Sequence, residues 1–170
     1  MVHLIYLPML LPQVGFLFGL QITLIQAQIS GTLAAVVLLH LLYMLPYVYL
    51  TLSGPYLAFN QQYYTQALTL CHSPWRAYLS VKLAMLKAPI LSACALGIAV
   101  SFALYLPTLV AGEGKIVSLT TESVALAASG ERKTAASMAL LQALFPLMAF
   151  WLAQWLPGAW TPMRLRVMKK

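Results

Sequence analysis

Long uncharged apolar runs alternate with short polar segments along this chain. Residues 4–25 hold no charge and are long enough to cross a bilayer, which takes about 20 residues as a helix. Pro8 and Pro12 lie near the start of this run. Proline removes a helix donor, so that end is expected to be bent or partly unwound. Residues 26–32 read as a short turn. A second apolar run, 33–54, contains Pro46 together with His40, Tyr43 and Tyr47. Those three are spaced i, i+3, i+7 and fall on one helical face. Further spans are expected over 85–106 and 136–156. Between them, residues 108–135 are rich in Gly, Ser, Thr and Ala. A short helix over 120–128 is expected there, stopped by Gly130.

Between the second and third spans lies a polar, basic island over 60–84. Thr65–Cys71 reads as a short helix. Ser73-Pro74 restarts the chain, since serine suits an N-cap and proline a first helical position. From Trp75 onward, Arg76, Ser80 and Lys87 share one face. Trp75, Leu79, Leu83, Leu86 and Ile90 line an adjoining one. The pattern predicts an amphipathic helix leading into the third span. The expected fold class is therefore all-α: one polytopic membrane helix bundle over 1–170, with about four transmembrane helices.

Composition agrees. Of 170 residues, 62% are hydrophobic and only 8% charged, against about 25% in a soluble domain. The distribution of the net charge of +7 gives an orientation. Seven cations lie in or beside the island (Arg76, Lys82, Lys87) and in the C-terminal tail (Arg164, Arg166, Lys169, Lys170). The other three (Lys115, Arg132, Lys133) share one segment with all three acids, Glu113, Glu122 and Glu131. The positive-inside rule then puts island and tail in the cytoplasm and the acid-bearing segment outside. The cations flank apolar spans and form no continuous surface, so a nucleic-acid partner is not expected.

Several chemistries are excluded. There is no aspartate, which removes a Ser/His/Asp triad, and no acid within any span for a coupling-ion or metal site. Cys71 and Cys94 fall in the island and inside a span, and no Cys/His cluster suggests a metal. No phosphate-cradling G-x-x-x-x-G-K-[ST] motif is present, so any ATP hydrolysis belongs to another chain. The chain reads as a non-enzyme without a cofactor. His40 has two readings: a pathway contact, as intramembrane ionisable residues often are, or a packed histidine bonded between helices.

The island resembles the cytoplasmic Glu-Ala-Ala loop of the inner-membrane permeases of binding-protein-dependent ABC importers. That loop reads roughly E-A-A-x-x-L-G-A-S-P-W-R and leads into a membrane helix. Ala67, Leu70, Ser73, Pro74, Trp75 and Arg76 match it, as do Val81 and Leu83 further on. Leu45-Pro46-Tyr47-Val48 and Gly31-Thr32 resemble the family's Leu-Pro-Tyr/Phe-Val and its outer turn. Thr65 stands where the family has glutamate, Gln66 the first alanine, Cys71 glycine and Ala84 proline. The style is that of fused permeases resembling those for thiamine or ferric iron, and the resemblance implies a C-terminal portion of one.

The resemblance implies a permease subunit in a bacterial inner membrane. Its docking residues on an ABC ATPase subunit would be Thr65, Gln66, Ala67, Leu70, Cys71, Ser73, Pro74, Trp75 and Arg76. Arg76 would bond the ATPase or snorkel at the interface. Trp75 would anchor either a partner or the membrane surface. The other implied partners are a second permease unit or the other half of a fused permease, an extracytoplasmic solute-binding protein, and the lipid bilayer. His40 and Tyr43 are possible pathway contacts. The competing reading is a non-transporting membrane assembly subunit that uses the island for docking alone.

Overall fold

The computed structural model describes residues 6–70 and 73–159. Eight helices follow in order: α1 (Leu7–Leu10), α2 (Gln13–Gln26), α3 (Leu33–Leu57), α4 (Gln61–Leu70), α5 (Pro74–Ala103), α6 (Tyr105–Gly112), α7 (Leu119–Ala128) and α8 (Arg132–Ala159). No strand occurs among the described residues. The all-α membrane bundle expected from the sequence is what the chain forms.

Three helices, α3, α5 and α8, are long and apolar enough to cross a membrane. At 1.5 Å per residue, α3 is about 37 Å long and α5 about 45 Å, against a hydrocarbon core of about 30 Å. The first expected span is realised in two pieces. It breaks at Leu11-Pro12, where Pro12 takes the N-cap of α2 in an extended conformation. A residue before proline is driven out of the helical region, which stops α1 at Leu10. The 14-residue α2 alone is about 21 Å long and shorter than the core. Pro46 and Pro55, by contrast, sit inside α3 without ending it.

The third expected span begins earlier than its hydrophobicity alone indicated. The island's second helix and the span are one continuous helix, α5, and Tyr78–Leu83 within it is π-helical. The span also ends earlier, at Ala103. Leu104 leaves the helical region (φ −79°, ψ 82°), and α6 restarts with Pro107 in its first turn, where a missing N–H costs nothing. The expected short external helix is α7, and Gly130 follows it at φ +90°. α8 runs from Arg132 to Ala159, past both ends of the expected span 136–156, with Pro146 and Pro157 inside it. The tail cations lie outside the described residues.

The buried core joins α2, α3 and α6: Leu17, Leu24, Ala35, Val36, Leu39, Tyr43, Leu104 and Ala111. α8 packs on α5 and α7. Its opposite side exposes Leu140, Leu144, Leu147, Trp151 and Trp155, each at least half exposed. Large apolar side chains each gain about 1.5–3 kcal/mol on leaving water, so a row of five demands lipid or a partner. α3 and α5 cross closely at Gly97. A Cβ there would stand 3.2 Å from Val48 Cγ2 and 3.6 Å from Met44 Sδ.

Candidate coupling loop and the polar sites of the bundle

At one end of the bundle, α4 packs against the first turns of α5. The buried residues of this pair are Ala67 and Ala77, at 6% and 0% exposure. Small side chains let α4 and the start of α5 approach closely. α4 starts four residues before the expected Thr65, with the Asn60 side chain accepting from the Gln62 N–H at 2.9 Å. Ser73 occupies the N-cap backbone position of α5, but its hydroxyl makes no cap bond. The helix start therefore rests on Pro74 at the first position and on the Ala77 N–H donating to the Ser73 carbonyl at 3.1 Å.

The expected docking residues divide by orientation. Thr65, Gln66, Leu70, Pro74, Trp75 and Arg76 are exposed, Leu70 at 80% and Trp75 at 69%. Ser73 is half-buried, and Ala67 seats the helix pair on itself. Cys71 lies outside the described residues. Trp75 stacks on Tyr78 with ring centroids 6.1 Å apart.

The structure adds an anchor that the charge pattern did not reveal. Lys82, in the π-helical stretch, donates to the Tyr56 hydroxyl at 3.0 Å. Its ammonium also lies 4.4 Å from the Tyr56 ring centroid, with Phe59 and Tyr78 nearby. This ties the loop to the end of α3. The wider π turn places Lys82 where a regular α turn would not, and such turns recur at functional sites.

At the opposite end, the turn after α2 is knitted to the end of α6. The Gly31 N–H donates to the Ala111 carbonyl at 2.8 Å. The Ser30 hydroxyl donates to Glu113 Oε1 at 2.6 Å, and Lys115 Nζ lies 3.1 Å from Oε2. These contacts hold the Glu113 carboxyl below the usual carboxylate range, the Ser30 bond first and then Lys115. Gly31 takes φ +72°, and a Cβ there would meet the Glu113 carboxylate at 3.0 Å. Thr32 then caps α3 by accepting from the Ala35 N–H at 3.3 Å.

His40 sits between three helices. Its Nδ1 is 2.7 Å from Ser101 Oγ on α5, and its Nε2 is 2.8 Å from Thr108 Oγ1 on α6. Thr108 is 1% exposed, and its single hydroxyl hydrogen goes to the Leu104 carbonyl at 2.5 Å. Its oxygen therefore accepts from His40 Nε2–H, which leaves Nδ1 of a neutral ring to accept from Ser101. Both ring nitrogens are satisfied, as the packed reading of this histidine requires. A cavity of about 140 Å³ adjoins it, lined also by Phe102, Ser118 and Thr120. Tyr43 is 6% exposed, and its hydroxyl has no hydrogen-bond partner. Its ring stands edge-on to Phe16 of α2.

A second polar clamp supports the α5–α6 break. Leaving the helix at Leu104 frees the Phe102 carbonyl from its usual helical donor. Thr120 of α7 donates to it at 2.7 Å and Gln142 of α8 at 3.1 Å. Nothing in the local sequence pattern identifies these distant donors. Among the described residues no group of three or more His, Cys, Asp or Glu side chains is arranged to hold a metal.

No protein-family model matches the chain, and no solved structure does. The chain is 35% identical over 146 residues to the inner membrane ABC transporter permease protein YnjC of Escherichia coli (strain K12). That similarity covers 86% of the chain, and the chain spans 29% of the length of that relative. Over most of its residues, and as an all-helical bundle with apolar spans, this chain is similar to a portion of an inner membrane ABC transporter permease.

Proposed function

We propose that the chain forms part of the solute pathway of an ATP-driven importer and couples to a separate ATPase through residues 65–76. The observation that carries this reading is the exposed pair formed by α4 and early α5. It presents Gln66, Leu70, Trp75 and Arg76 outward while the buried alanines Ala67 and Ala77 hold its shape. Tryptophan and arginine are residue types enriched at protein interfaces, and Leu70 adds exposed apolar area beside them. The loop faces the cytoplasm in this reading, with the Ser30–Glu113 turn outside, as the distribution of cations requires.

The mechanism follows from how the loop is attached. Lys82 ties it to the end of α3, and α5 continues from it through the bundle without a break as far as Ala103. A pull on α4 and Trp75 by closing ATPase subunits is transmitted along α5 to the helix break at Leu104. There α6, α7 and α8 meet. Rigid helices that meet at such a break can switch the pathway between two arrangements. Substrate would come from a solute-binding protein on the far side, and a second permease unit would complete the pathway.

Cysteine cross-linking tests the docking. In the natural full-length protein lacking its own reactive thiols, Gln66→Cys should form a disulfide with a cysteine placed in the cleft of an ABC ATPase. Gln66 suits the probe because it is exposed, whereas Ala67 beside it is buried. Failure of Gln66→Cys and Trp75→Cys alike to link to any ABC ATPase, in a folded and inserted protein, refutes the coupling role. It would leave a non-transporting assembly subunit as the better reading.

A further inference from the structure

A groove of about 360 Å³ opens where the island end of α5 meets the end of α8. Leu79, Leu83, Ile90 and Leu91 of α5 wall one side, and Leu156 and Pro157 of α8 the other. The volume lies in the range of ligand clefts, roughly 300–1,000 Å³. One cation, Lys87, stands among these apolar walls. It is half-buried and has no hydrogen-bond or ion-pair partner among the described residues.

The position of Lys87 defines what it needs. It lies 16 residues before Ala103, so about 24 Å along α5 from that end, inside a hydrocarbon core of about 30 Å. A lysine at this depth extends its ammonium toward the headgroup layer. The chain offers no counter-charge there. Glu113, Glu122 and Glu131 are its only acidic residues, and all lie on the α6–α8 connections at the opposite end. The sequence after Ala159 carries Arg164, Arg166, Lys169 and Lys170 and no acidic side chain. Lys82 is already engaged by Tyr56.

We propose that this groove binds an anionic phospholipid of the leaflet that the island faces. Its acyl chain lies along Leu79, Leu83, Ile90 and Leu156, and its headgroup phosphate sits on the Lys87 ammonium. Charge complementarity selects this occupant. An apolar trough with one unpaired cation at headgroup depth matches a lipid that has an acyl chain and a net negative head. The site lies directly behind the proposed docking loop on the same helix, but it does not depend on that loop's partner.

The test uses the purified full-length protein in nanodiscs of phosphatidylethanolamine and phosphatidylglycerol, with retained lipids counted by mass spectrometry after delipidation. Lys87→Gln removes the charge, and Leu83→Trp fills the trough. Lys87→Gln should lower retained phosphatidylglycerol about fivefold, the worth of one cation near an anionic surface, and Leu83→Trp should lower it as well, both leaving phosphatidylethanolamine unchanged. Arg76→Gln, at an exposed cation outside the groove, should leave phosphatidylglycerol retention unchanged. Circular dichroism and gel filtration confirm folding; if Leu83→Trp misfolds, Lys87→Gln decides alone. Equal phosphatidylglycerol retention by wild type and Lys87→Gln overturns the proposal. So does an equal loss in Arg76→Gln, which would mark a diffuse basic surface. So does a Lys87→Cys thiol that cross-links to another protein chain in the native membrane, which would mean that a protein covers the groove.

Discussion

Replacing His40 by leucine separates the two readings of this residue. The substitution keeps the volume roughly and removes two interhelical hydrogen bonds, 2.7 Å to Ser101 and 2.8 Å to Thr108. Bonds of this kind between membrane helices average about 0.6 kcal/mol each, with a maximum of about 1.7. Thr108 keeps its bond to the Leu104 carbonyl, and Ser101 can turn back to a carbonyl in the preceding turn of its own helix. Neither hydroxyl is stranded, so the loss stays near the average. The expected cost is about 1.2 kcal/mol for both bonds together. The assay is reversible unfolding in mixed micelles by titration with a denaturing detergent. A double-mutant cycle of His40→Leu with Ser101→Ala should give a coupling of about 0.6 kcal/mol. A His40→Leu protein as stable as wild type, with zero coupling to Ser101, would refute the structural role and return His40 to the pathway.

Other consequences follow from close contacts and from the clamp. Gly97→Leu should destabilise the bundle by about 1–3 kcal/mol by the same unfolding assay, because its side chain meets Val48 and Met44. Gly97→Ala should cost less, since Val48 need move only a few tenths of an ångström. Thr120→Val and Gln142→Leu should each be mild, because the other donor still serves the Phe102 carbonyl. The double variant leaves that carbonyl bare and should exceed the sum of the singles by about 1–3 kcal/mol. The Glu113 carboxyl is depressed in the fold, so its contribution is present above the ordinary carboxylate pKa and is lost as pH falls through its lower folded value. Hydrogen-exchange protection of residues 28–32, corrected for intrinsic rates, should therefore hold through the ordinary carboxylate range and drop only as the pH falls below it. Glu113→Gln should abolish that step.

The parts of this fold legible in the sequence were those set by local pattern. Uncharged runs gave α3, α5 and α8, and Ser73-Pro74 marked the start of α5. Gly130 marked the end of α7 because a φ of +90° suits glycine. The features that escaped depend on contacts between distant segments. The π turn at Tyr78–Leu83 coincides with Lys82 reaching Tyr56, 26 residues earlier. The break at Leu104 is supported by Thr120 and Gln142. Periodicity reports which face is apolar, not which carbonyl a later helix will cover. At the candidate site, the motif named the residues, but only the packing of Ala67 against early α5 separated those that hold the loop from those it presents.

The central claim is that the face formed by Leu70, Trp75 and Arg76 binds an ATPase. Purifying the tagged full-length protein from its native membrane in mild detergent tests it most directly, with an ABC ATPase measured in the eluate. The wild type should retain the ATPase, and Leu70→Glu with Arg76→Glu should lose most of it, while both proteins elute as folded species on gel filtration. Equal ATPase retention by both, or none by either, would contradict the account.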